Sequence, residues 1–226
     1  MLKCSLDEYK SQFNEFIDNL QNTHPVAIET AKGDARGIVK GYFQSHMIRF
    51  KTLIELLEKQ QINEKNILEV GSPYPFVGFY FYKYYNCTVT VSDLFPRTWK
   101  INDKLKFKKI NLCTETIDES YDVIICSEVF EHLPCNLIKV RDMIVHSIKK
   151  RGYGLFSFPL KSKAKIPLDE DIKNKDLNEA HTHLREFRGL VDDFMKNLNI
   201  LERKIKNIEG YSGEIEMLIF KRSDKE

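Results

Sequence analysis

No stretch of the 226 residues comes near the ~18 consecutive apolar residues that a membrane-spanning helix requires. The opening residues, Met1 to Glu8, hold no apolar core of signal-peptide length, so no leader is expected. Net charge is almost absent: 35 Lys and Arg stand against 33 Asp and Glu, giving +2. That balance gives no general pull toward nucleic acid, although it leaves room for a local basic patch. Cysteine is sparse. Five occur, at 4, 87, 113, 126 and 135, an odd number with no CxxC pair. This usage reads as a reducing, cytoplasmic setting, with Cys126 a small buried hydrophobe inside an apolar run. Internal repeats and low-complexity tracts are also missing.

What is present fits one ordinary domain. Hydrophobic residues make up 42% and charged residues 30%, as in a typical globular chain. An α/β domain of this length buries about 70% of its unfolded surface.

Leu6, Tyr9, Phe13, Phe16, Ile17 and Leu20 recur at three and four, which predicts a helix over 6–22. Ser5 is its expected cap, with Glu8 as the capping-box partner. Pro25, Gly33, Gly37 and Gly41 make 23–41 an irregular connection. A second helix is expected over 45–60, with Ile48, Leu53, Leu56 and Leu57 on one side. From Asn66 onward, strands are expected at 66–70, 87–92, 106–110, 121–126 and 153–158. Helices are expected at 76–85 and 136–149, with shorter ones near 97–103 and 114–118. Such alternation predicts a mostly parallel sheet with right-handed crossovers. A further helix over 183–198, capped by Thr182, precedes strands at 200–208 and 214–221. Gly210-Tyr211-Ser212-Gly213 between them predicts an antiparallel hairpin.

Two of these strands end in acids. Asn66-Ile67-Leu68-Glu69-Val70-Gly71 is an apolar run closed by a carboxylate and a glycine, as where a buried parallel strand opens onto a ligand. Val89-Thr90-Val91-Ser92-Asp93 ends in a second carboxylate, about 20 residues past the glycine, the spacing of a ribose-binding acid in Rossmann-type units. A third run, Tyr121 to Cys126, continues into Ser127-Glu128-Val129-Phe130-Glu131-His132-Leu133. Together these segments resemble the class I S-adenosylmethionine-dependent methyltransferases of small-molecule type, closely over 64–160 and in outline elsewhere. The resemblance implies an α/β, Rossmann-like fold: a mostly parallel sheet, helices on both faces and a C-terminal antiparallel hairpin. It implies one methyltransferase-like domain over 1–226, with 1–62 a helical extension.

The same resemblance implies site residues. Glu69, Gly71 and Ser72 would form the cofactor loop, with Glu69 orienting it near the amino end of the methionine moiety. Asp93 and Leu94 would meet the ribose, although Asp93 also reads as a helix cap. Asn111 and Leu112 would lie near the adenine, and Ser127 and Glu128 beside the methionine end. His132 and His183 are the candidate bases for a hydroxyl acceptor. Local helix-start bonding for His132 and a capping-loop role for His183 compete with that reading. Pro73 and Pro75 depart from the family, because they stand where further glycines are usual. Proline offers no N–H and no close backbone approach, so a pyrophosphate is excluded more firmly than S-adenosylmethionine, which carries no phosphate. Pro75 also suits the first position of the following helix. His181 and His183 lack a visible third ligand, so no metal is expected. Lys161, Lys163 and Lys165 read either as a solvated loop or as an attraction for an acidic substrate.

The implied activity is methyl transfer to a small molecule, with a sugar or nucleotide-sugar of bacterial surface-polysaccharide synthesis as the suggested acceptor. RNA or protein methylation is one competing reading, and a catalytically silent binding subunit is another.

Overall fold

The computed structural model describes residues 2–23, 35–94, 100–160, 191–207 and 214–223. Among the described residues, the seven expected strands and one more form an eight-stranded sheet. In chain order they are β1 (Asn66–Val70), β2 (Thr88–Asp93), β3 (Lys100–Asn102), β4 (Leu105–Lys109), β5 (Tyr121–Ser127), β6 (Ile148–Pro159), β7 (Asn199–Asn207) and β8 (Glu214–Lys221). Their spatial order is β3-β4-β2-β1-β5-β6-β8-β7. β4, β2, β1, β5 and β6 run parallel, which is why β1 and β5 are apolar almost throughout. β8 runs antiparallel between β6 and β7, so the C-terminal hairpin is present. Strand order reverses between β1 and β5, and ligands of open α/β sheets bind at the carboxyl side of such a switch.

Among the described residues, three helices precede the sheet: α1 (Leu6–Thr23), α2 (Ala35–Ser45) and α3 (Met47–Glu58). Ser5 caps α1 as expected, its Oγ accepting the Glu8 N–H at 3.1 Å. α2 corrects the irregular connection expected there. Gly37 and Gly41 lower helix propensity, but Phe43 is fully buried and stacks on Phe13 at 4.0 Å, and that packing outweighs them. Leu53, Leu56 and Leu57 of α3 are buried as expected, whereas Ile48 is 44% exposed and Arg49 and Phe50 turn inward at the start of the helix.

Other expectations are corrected in the same way. The helix near 97–103 is replaced, over its described part, by β3 pairing antiparallel with β4. Residues 114–118 form no helix; Asn111 closes a turn there by accepting the Glu115 N–H at 2.8 Å on its carbonyl. α4 (Gly78–Tyr85) starts later than expected, so Pro75 lies in the loop ahead of it. α5 (Leu137–His146) ends early because β6 begins at Ile148, with Arg151 at φ 63 bending its first part. Of the last expected helix, α6 (Val191–Phe194) lies among the described residues. His181, Thr182, His183, the three loop lysines and the turn at 210–213 lie outside them.

Candidate active site

The carboxyl ends of β1, β2, β4 and β5 carry the residues singled out by sequence. Gly71 leaves β1 with φ +65, a region L side chains avoid. A Cβ there would also sit 2.5 Å from Val129 Cγ2, so the loop after β1 and the loop after β5 touch at this glycine. Ser72 extends from it: its N–H donates to the Ser92 carbonyl at 2.9 Å, and its Oγ donates to the Tyr74 carbonyl at 2.6 Å. Tyr9 of α1 donates its hydroxyl to the Phe76 carbonyl at 2.7 Å. The loop with Pro73 and Pro75 is therefore held by the side-chain hydroxyls of Ser72 and Tyr9 as well as by backbone bonds.

Glu69 is 3% exposed and turns toward the start of α4. Its carboxylate accepts the Gly78 N–H at 2.8 Å and the Val77 N–H at 3.2 Å. These are the N–H groups that would greet a pyrophosphate in a dinucleotide site. Here the protein's own carboxylate takes the anion position, which argues against NAD independently of the prolines. Burial pushes the Glu69 carboxyl up from 4.5 to about 7, while the N–H bonds and Arg49 pull the other way. The unfolded chain releases this proton near 4.5 and the folded chain keeps it to about 7. The contribution to stability is therefore greatest below 4.5 and is lost as pH rises through that window, by about 3 kcal/mol in all. Urea unfolding at pH 4.5 and pH 8 should show wild type losing that much more than Glu69→Gln. Parallel losses in the two proteins would mean that Glu69 is already ionised in the fold.

Asp93 ends β2 half-buried, with Leu94 38% exposed beside it. Asn111 follows β4; its Oδ1 accepts the Cys113 N–H at 3.0 Å, and its own N–H donates to Glu115 Oε2 at 2.8 Å. Leu112 is buried in the cluster that holds Val129 and Phe130. Ser127 ends β5, its Oγ 2.9 Å from Ser157 Oγ, and Ser157 donates to Glu128 Oε1 at 2.9 Å. Glu128 has φ 56, an uncommon conformation for a side chain of its size, at the point where the chain turns off the sheet. His132 closes the 3-10 turn Phe130–His132; its side chain is 41% exposed, with Nε2 3.7 Å from Glu131 Oε1. The structure thus gathers Gly71, Ser72, Asp93, Leu94, Asn111, Leu112, Ser127, Glu128 and His132 at one end of the sheet. Glu69 serves that end from behind the loop, and His183 lies outside the described residues.

Four further residues join this end without having been singled out. Arg49 of α3 is 2% exposed; its Nη2 donates to the Tyr42 hydroxyl at 2.8 Å, and its Nη1 is 3.9 Å from Glu128 Oε2. Burial works against its charge, but Tyr42, Glu128 and Glu131 outweigh burial and hold its pKa above the usual value. Glu131 is 1% exposed, and burial, then Glu128, push its carboxyl well up. His46 stacks on Tyr42 at 4.1 Å, and its Nδ1 is 2.9 Å from the Tyr42 carbonyl. The Ser45 Oγ lies at the same distance, 2.9 Å, from this nitrogen. Burial and then Arg49 lower the His46 pKa, which keeps the ring neutral at pH 7. One signal for Arg49 was available: it occupies an inward position of α3, four before Leu53, where an apolar residue is the rule.

Three buried atoms at this end lack a hydrogen-bond partner among the described residues: Arg49 Nε, Ser92 Oγ and Glu131 Oε2. Buried polar atoms of a native protein are normally satisfied, so a donor and acceptors left open around one sheet end fit a polar ligand.

The family model described as a methyltransferase domain matches residues 43–190, well over half of the chain. The chain belongs to that family and is a class I S-adenosylmethionine-dependent methyltransferase. No curated protein sequence matches it. Among solved structures, it is similar to the N-methyltransferase NodS from Bradyrhizobium japonicum WM9, with TM-score 0.53 and 16% identity over 80% of this chain and 98% of that one. A 1,6-didemethyltoxoflavin-N1-methyltransferase from Burkholderia thailandensis, crystallised with S-adenosylhomocysteine, gives TM-score 0.61 at 11% identity over 99% of this chain and 93% of that one. A sarcosine dimethylglycine methyltransferase from Galdieria sulphuraria, titled as putative, gives 0.57 at 16% identity over 79% and 85%. At these identities the likeness is one of fold.

Proposed function

We propose that this chain methylates a small molecule at the carboxyl end of its sheet, with the cofactor held between the loops after β1, β2, β4 and β5. The observation that carries the reading is the set of open buried atoms beside paired charges at that end, where Arg49 meets Glu128. The donor set suits S-adenosylmethionine. Asp93 would accept from the ribose hydroxyls, and Arg49 would face the methionine carboxylate. Glu128 and Glu131 would balance its positive charges, while Asn111 and Leu112 flank the adenine. The bound cofactor supplies a methyl group on a sulfonium, already activated toward displacement. The protein therefore mainly aligns the acceptor and excludes water. For a hydroxyl acceptor, His132 takes the proton as the oxygen attacks. The first 62 residues act as a helical extension that brings Tyr42, His46 and Arg49 over the site. No helix among the described residues is long and apolar enough to cross a membrane, and cytoplasmic placement belongs to this proposal.

A sugar or nucleotide-sugar of bacterial surface-polysaccharide synthesis is the acceptor suggested by the resemblance. An amine is the second reading, favoured by the names of the three similar enzymes, two N-methyltransferases and one acting on sarcosine and dimethylglycine. Transfer from radiolabelled S-adenosylmethionine to panels of nucleotide-sugars, small amines, RNA and protein would decide. Label appearing in RNA or protein alone would overturn the small-molecule reading.

Asp93 has its own test. Its loss removes charge-assisted bonds worth about 1.5–3 kcal/mol each. Asp93→Ala should weaken S-adenosylhomocysteine at least about tenfold, with the circular dichroism spectrum unchanged. Equal affinity would move the ribose contact to another residue.

A further inference from the structure

Cys113 and Cys135 are bonded as a disulfide across 22 positions of chain, with Cα atoms 5.6 Å apart. Their spacing in sequence gives no hint of this, and a uniformly reducing setting does not anticipate it. Cys113 follows Leu112 directly in the loop after β4. Cys135 lies between the 3-10 turn that ends at His132 and the first residue of α5, with Asn136 capping that helix by accepting the Lys139 N–H at 3.2 Å. The bridge therefore ties the loop assigned to the adenine to the loop assigned to the methionine end and the acceptor. Among the described residues, no backbone hydrogen bond joins these two loops; Leu112 shares a buried apolar cluster with Val129 and Phe130. Both bridged cysteines are half-buried, so a small thiol can approach them, whereas Cys87 and Cys126 are buried.

We propose that Cys113–Cys135 is a reversible redox clamp on the cofactor-binding end of the sheet, closed in the form that binds cofactor more tightly. The inference rests on the cofactor placement given above. Closing is thiol–disulfide exchange: a low-molecular-weight disulfide accepts two electrons and two protons from the Cys113 and Cys135 thiols and leaves as two thiols. Opening runs the exchange backward, with a dithiol reductant itself becoming the disulfide. The closed bridge holds the two loops together before the cofactor arrives, so less ordering remains to be done on binding. In the open form that ordering opposes binding. A half-exposed bridge at a binding site suits regulation better than permanent stapling.

The test measures S-adenosylhomocysteine affinity by calorimetry on three samples: wild type with the bridge verified by peptide mass mapping, wild type reduced with dithiothreitol, and the double variant Cys113→Ser, Cys135→Ser. The bridged form should bind roughly fivefold or more tightly than the reduced form. The double variant should match the reduced form and ignore the reductant. The reductant arm uses the native chain, so the answer does not depend on the variant folding. Equal affinity in bridged and reduced wild type overturns the clamp and leaves the cofactor site standing. Mapping that finds both thiols free after treatment with glutathione disulfide overturns it as well. Absence of binding in every sample overturns the cofactor placement and the clamp with it.

Discussion

Arg49→Met should weaken S-adenosylhomocysteine binding by roughly a hundredfold, equivalent to about 3 kcal/mol. Arg49 is the buried cation facing Glu128, and it donates to Tyr42 at 2.8 Å. Removing it leaves the Glu128 and Glu131 carboxyls without a counter-charge and, on the placement proposed above, the ligand carboxylate without its partner. Burying a charge unpaired is costly, so the Glu131 carboxyl, already held well up by burial and then by Glu128, should be pushed further up in the variant. Methionine keeps an apolar side chain of similar length but gives up the charge, the guanidinium contact 4.8 Å from the Phe50 ring centroid and the hydrogen bond to Tyr42. Arg49→Lys should fall between the two, because a single ammonium cannot reproduce the guanidinium fork. Unchanged affinity in Arg49→Met would place the methionine carboxylate elsewhere.

His132→Ala should lower the methylation rate by about a hundredfold on a hydroxyl acceptor, with cofactor affinity little changed. His132 is partly exposed beside the buried Glu131 in the turn after β5. A neutral imidazole is the side chain best matched to proton removal at pH 7. His46 is the second imidazole at this end, oriented through Nδ1 by the Tyr42 carbonyl. Full turnover in the single variants at His132, His183 and His46 and in the triple variant would rule out histidine base catalysis. Alignment alone, or an acceptor that needs no base, would then account for the rate.

The strands around the site were legible because their chemistry is local. Glu69, Asp93 and Ser127 all end apolar runs, and β1 and β5 are found within a residue of where the runs place them. The helical overlay was less legible. Gly37 and Gly41 weaken α2 as read from propensity, and the packing of Phe43 against Phe13, Phe50 and Phe76 restores it; the contact with Phe13 spans 30 positions, which no window contains. β3 has three residues, Lys-Ile-Asn, too few to show a period. Arg49 meets Glu128 across 79 positions, so its role emerges only when α3 lies over the sheet. The Cys113–Cys135 pairing is hidden for the same reason: spacing alone does not specify connectivity. Pro75 was read as a helix start because its ring suits that position, but Glu69 captures the N–H groups of Val77 and Gly78 and sets the start of α4 at Gly78.

The central claim is that the loops around β1, β2 and β5 hold S-adenosylmethionine and reject a dinucleotide. Titration calorimetry of the purified wild-type chain with S-adenosylhomocysteine and, separately, with NAD tests it most directly. The account predicts saturable one-to-one binding of S-adenosylhomocysteine and no heat of binding with NAD. Binding of NAD, or a flat titration with S-adenosylhomocysteine on folded protein, would contradict it.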